Sequence, residues 1–97
     1  MMERAQEMQG RMGELQQELA ARRFDANSGG GMVKATVSGG LRVLAIEIEP
    51  SLIDSGDREM LQDLVAAAVN AALTRAQESV QQELAKMQQS MLMGLGG

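Results

Sequence analysis

The sequence has no cysteine, histidine, tryptophan or tyrosine, and only one phenylalanine (Phe24) and one proline (Pro50) among 97 residues. Without cysteine there is neither a disulfide nor a thiolate nucleophile, a composition compatible with a reducing cytosol. Without histidine or cysteine the usual zinc ligands are missing and no Ser–His or Cys–His couple can be assembled. No catalytic residue, metal ligand or cofactor is therefore expected, and the chain does not read as an enzyme. The scarcity of aromatic rings removes the base-stacking platforms of single-strand binders. No run approaches the roughly 20 apolar residues that span a bilayer. The opening Met1-Met2-Glu3-Arg4-Ala5-Gln6 lacks the basic-then-apolar order of a signal peptide. Together these predict a cytoplasmic protein with no membrane partner. Cations are also few, nine Lys and Arg against thirteen Asp and Glu for a net charge of −4. Affinity for nucleic acid comes mainly from phosphate neutralisation, so composition alone argues against such a ligand.

What is present is a soft core of Leu, Ile, Val, Ala and nine Met. One domain of this size buries only about 60–65% of its unfolded surface, so self-association would help it. Residues 1–93 read as that single domain and 94–97 as a disordered tail. From Met1 to about Ala21, apolar residues at Met1, Ala5, Met8, Met12, Leu15 and Leu19 step by four and three, the pattern of a helix with a narrow coiled-coil seam. Gly10 and Gly13 lie off that seam. So narrow a stripe requires a partner surface.

Asn27 to Gly31 reads as a loop. Val33, Ala35 and Val37 then alternate with Lys34, Thr36 and Ser38, and a second strand-like run, Leu41 to Ile48, ends at Pro50. A tight turn at Gly39-Gly40 would pair Val37 with Arg42, Ala35 with Leu44 and Val33 with Ile46. That pairing places Val33, Ala35, Val37, Leu44, Ile46 and Ile48 on one face. Arg22 to Ala26 is a weaker third strand, and Ser51 to Gly56 a turn. Asp57 is suited to cap a long helix reaching about Met91, with Glu59 in its first turn. Its broad apolar face (Leu61, Leu64, Val65, Ala68, Val69, Ala72) would cover the sheet. Further on the stripe narrows to Leu73, Ala76, Val80, Leu84, Met87 and Met91, as expected of a helix that leaves the core to pack on another helix.

Three segments in order carry a resemblance. Gly29-Gly30-Gly31-Met32-Val33-Lys34-Ala35-Thr36-Val37, Ile46-Glu47-Ile48-Glu49-Pro50-Ser51-Leu52-Ile53, and Met60 through Ala72 resemble the glycine-rich strand, the strand end and the helix of the YbaB/EbfC nucleoid-associated family. With the Met/Gln/Glu-rich opening helix the likeness covers about Glu3 to Met91. It implies an α+β, α-β-β-β-α subunit with a small antiparallel sheet and long N- and C-terminal helices that forms a tweezer-like homodimer. It also implies DNA binding with little or relaxed sequence preference and a role in nucleoid organisation or gene regulation. With no stacking aromatics, the DNA expected is duplex, read by backbone and shape.

Arg4, Arg11 and Arg22 fall within about 20° of one line along the first helix, beside the seam. The line suits phosphate contacts. It is equally explained by Glu7–Arg11 and Glu18–Arg22 pairs at i,i+4. Arg22-Arg23 with Lys34 and Arg42 make a second candidate cluster, and Arg75 and Lys86 are nearly aligned on the long helix. The expected DNA contacts are thus Arg4, Arg11, Arg22, Arg23, Arg75 and Lys86. The expected dimer contacts are the helix seams (Met8, Met12, Leu15, Leu19, Val80, Leu84) and the hairpin. Gly29-Gly30-Gly31 reads as a turn and not as a phosphate cradle, since a strand follows it. Glu47 and Glu49 share a strand face but lack companions for catalysis. The rival function is a protein-interaction scaffold that uses the same helices on an unidentified protein partner, favoured by the acidic charge and Met-rich seams.

Overall fold

The computed structural model describes the backbone of residues 2–96 and the side chains of residues 4–92. Met1 of the expected seam lies outside them. In chain order the elements are α1 (Met2–Ala21), β1 (Arg23–Ser28), β2 (Val33–Ser38), β3 (Val43–Ile48), a short α2 (Pro50–Asp54) and α3 (Arg58–Gly96). The strands form one antiparallel sheet in the order β1-β2-β3. The molecule is elongated, 64 × 20 × 15 Å, because a 39-residue helix spans about 58 Å at 1.5 Å per residue.

The core lies between α3 and β2. Val33, Ala35 and Val37 are fully buried, and so are Ala68, Ala72 and Ala76 one helical turn apart on the facing side of α3. Small side chains at that spacing let the helix axis sit close to the strand. Phe24, Ala26, Leu61, Leu64, Val65, Val69 and Leu73 pack around this contact. The Asp57 cap forms as expected: its Oδ1 accepts from the Met60 N–H at 3.0 Å.

Two sequence expectations are corrected. Residues 51–56 are not a simple turn, because Pro50 starts a helical turn at N1 and Leu52, 3% exposed, anchors it in the core. Ser55 closes its end by donating from Oγ to the Leu52 carbonyl at 2.6 Å. The β2–β3 register is also displaced by two residues. Val33 pairs with Ile48 and Ala35 with Ile46, in place of Ile46 and Leu44. One residue of the displacement comes from a three-residue loop, in which the Leu41 N–H bonds the Ser38 carbonyl and the Ser38 N–H bonds the Arg42 carbonyl, both at 2.9 Å. The other comes from an irregularity at Thr36/Val37, where Thr36 pairs with Ala45 but Val37 with Val43. Beyond the irregularity a slip of two keeps Ile46 and Ile48 on the face of Ala35 and Val33. At Val37, however, the displacement is one residue and Leu44 falls in the bulge. Leu44 and Ile46 are exposed where a half-buried face was expected.

The β2–β3 loop is held against α1. The Gly39 N–H donates to the Arg22 carbonyl at 2.9 Å, and a Cβ on Gly39 would collide with the Leu19 carbonyl oxygen. Glycine is required here by close approach. At the other end of the sheet Gly29, Gly30 and Gly31 all have positive φ and make a single 3₁₀ turn into β2. That is the turn the sequence indicated.

Candidate nucleic-acid interface

The first half of α3 covers the sheet, and its second half runs antiparallel to α1, making a two-helix arm. At the foot of the arm Leu19 is buried and Leu15 half-buried. Val80, Leu84, Met87 and Met91 are half-buried along α3. Farther out, Met8 and Met12 meet Met87 and Met91 around a cavity of about 130 Å³. The partner surface that the α1 stripe requires is therefore supplied, at least in part, by α3 of the same chain.

The expected cations divide into separate groups. Arg4 and Arg11 come together on the arm, lining one open pocket with Glu7 and Met8. Arg22 is drawn away from that line. Its guanidinium lies 3.9 Å from Glu18 and 3.6 Å from Glu83 on α3. These side chains are at least a third exposed, so such pairs contribute at most about 1 kcal/mol each, and a phosphate can compete for the arginine. Of the two helical pairs expected, Glu18–Arg22 forms. Arg23 is exposed at the start of β1, opposite Ser38 and near the Arg42 loop. Lys34 is not part of that cluster. It sits at the far end of the sheet, 3.4 Å from Asp25 and 3.9 Å from Glu47, in a cross-strand ladder.

Arg75 reaches from α3 to the edge strand β1, donating to the Asp25 carbonyl at 2.9 Å. It shares a polar pocket with Asp25, Ala26, Asn27 and Lys34, a juxtaposition that sequence spacing does not reveal. Lys86 is exposed on the distal part of α3. Glu47 is held by Lys34, and Glu49 accepts from the Ser51 hydroxyl at 3.2 Å. Among the described residues there is no group of three or more acidic side chains placed to hold a metal ion. No described helix is long and apolar enough to cross a membrane.

Charge is unevenly placed. Asp54, Asp57, Glu59 and Asp63 crowd the α2–α3 junction against the single Arg58, which accounts for three of the chain's four net negative charges. The arm and sheet are close to neutral. Strand β3 is the other unusual surface. It forms one edge of the sheet and is left uncovered by α3, so Val43, Leu44 and Ile46 are 48%, 46% and 41% exposed.

The elements define a small α+β protein built as a sheet-and-helix base carrying a two-helix arm. Residues 1–91 match the model of the YbaB/EbfC DNA-binding family, and the chain belongs to that family. It is 45% identical over 87 residues to a nucleoid-associated protein of Thermoanaerobacter pseudethanolicus, covering 90% of this chain and 78% of the relative. To a nucleoid-associated protein of Chlorobium phaeobacteroides it is 47% identical over 94 residues, covering 97% and 83%. The fold is similar to that of an uncharacterized protein of Helicobacter pylori, with a TM-score of 0.68 at 23% identity over 86% of this chain and 96% of that one.

Proposed function

We propose that the protein binds duplex DNA as a homodimer with relaxed sequence preference, acts in nucleoid organisation or gene regulation, and catalyses no reaction. Membership of a DNA-binding family over residues 1–91 carries this reading. The placement of charge supports it. With most of the excess carboxylates at the α2–α3 junction, the arm can offer Arg4, Arg11 and Lys86 to a polyanion despite the acidic total. With no aromatic platform on the arm, contacts go to the phosphate backbone and to duplex shape, which carry little base-specific information.

The dimer is assigned to β3. An exposed apolar strand with one unpaired edge is self-complementary, because a second copy can supply both the missing main-chain partners and an apolar cover. Two bases joined there would carry two arms, as a pair of tweezers does. The test of DNA contact is the Arg4→Ala/Arg11→Ala variant. It should bind duplex DNA at least about tenfold more weakly than the parent at low salt and equally weakly on unrelated sequences. Unchanged affinity would place the contacts elsewhere. Loss on one sequence only would contradict relaxed preference.

The scaffold reading draws on the acidic α2–α3 junction, a surface suited to a basic protein. Partners that survive nuclease treatment and are lost when Asp57 and Glu59 are neutralised would favour it.

A further inference from the structure

We propose that Met8 and Met12 are an oxidation site, and that conversion of their thioethers to sulfoxides by a peroxide releases α1 from α3. Four thioethers, two from each helix, converge on one cavity of about 130 Å³ in which, among the described residues, Arg11 is the sole other lining residue. From residue 4 to residue 14 every α1 side chain is exposed, so this stretch of the arm has no buried anchor of its own. Along this stretch it is the methionines around the cavity that face α3. Met8 and Met12 are 45% and 39% exposed, open to a small oxidant, while Met87 and Met91 are half-buried beneath them.

In the reaction the sulfur lone pair attacks one peroxide oxygen. An S–O bond forms as the O–O bond breaks, the sulfur is oxidised by two electrons and hydrogen peroxide is reduced to water. The product is a polar group at the centre of an apolar contact, which loses its burial gain and acquires an acceptor that needs a donor. Arg11 is the donor at hand. A guanidinium turned toward a sulfoxide is withdrawn from solvent, and under the DNA-binding reading from phosphate. Only this last consequence rests on that reading, since the oxidation site and the release of α1 stand apart from it. Met60, 40% exposed in the first turn of α3 and far from the arm, is the internal control because it can be oxidised without touching the seam.

The test exposes the full chain to graded hydrogen peroxide, maps sulfoxides by peptide mass spectrometry and follows amide exchange along α1. Sulfoxides should appear at Met8 and Met12 before the half-buried Met32. Exchange over residues 5–16 should then accelerate about tenfold or more, and methionine sulfoxide reductases should restore it. Met8→Leu/Met12→Leu keeps an apolar seam and should abolish the response. Sulfoxides at Met8 and Met12 without faster exchange would overturn the proposal, as would α1 amides that are unprotected before oxidation. A response that persists in the double variant would do the same. Duplex binding measured on the same samples separates the two readings: no binding before oxidation contradicts the DNA assignment and leaves the exchange result to judge this one.

Discussion

Glu18 and Glu83 hold Arg22 from two helices, so an arginine aligned by sequence spacing with Arg4 and Arg11 is occupied before any phosphate arrives. Replacing Glu83→Gln removes the cross-helix competitor without changing side-chain shape. Fluorescence anisotropy should show duplex affinity rising about three- to tenfold. Glu59→Gln makes the same change of net charge about 36 Å away along α3, beyond a Debye length, and should raise affinity about twofold or less. Equal effects would mean that total charge, and not the release of Arg22, sets affinity. Leu41 presents a different conflict. Its φ of +64° is a conformation that costs a non-glycine residue about 1–2 kcal/mol, and at 45% exposure its side chain recovers little by packing. Leu41→Gly should raise stability to chemical denaturation by about 1 kcal/mol, less the backbone entropy that glycine restores to the unfolded chain. A loss of stability would show that the side chain is covered, as it would be at a dimer contact.

Strand β3 looks like an ordinary half-buried strand when read from its alternation, yet α3 is too narrow to cover three strands and spends its apolar face on β1 and β2. That exposure is a property of packing, and no local pattern displays it. Ile46→Lys places a charge on the uncovered strand at a position 41% exposed within the chain, so each subunit should stay folded. Under the proposed dimer, sedimentation should report a dimer for the parent and a monomer for this variant, and a variant that stays dimeric would move the interface off β3. The other elements were more legible. The seam of α1, the alternation of β2 and the broadening and narrowing of the α3 stripe each follow from one period, and Asp57 caps where its residue type and position indicated. Strand β1 was visible only weakly, and α2 not at all, because five residues opened by proline carry no period. The hairpin register was missed because an αL leucine and a bulge, each invisible in the apolar pattern, add one residue apiece. In the candidate site, the arginine line was legible as spacing. Its division was not: Glu83, 61 positions after Arg22, and Asp25, 50 positions before Arg75, are tertiary partners.

For the molecule as a whole, an acidic protein of a DNA-binding family poses a question of where its charge resides. The excess carboxylates at the α2–α3 junction sit at the base, and the arm carries Arg4, Arg11 and Lys86 outward. A dimer would present two such sets, about six phosphate contacts, and release a corresponding number of counterions. The decisive measurement is therefore duplex-DNA affinity of the purified protein as a function of salt. Binding is expected at low salt and should fall about a thousandfold between 50 and 200 mM, with a logarithmic slope near five. Affinity that is flat across that range, or no binding at its lower end, would contradict phosphate contact by the arms and turn attention to a protein partner.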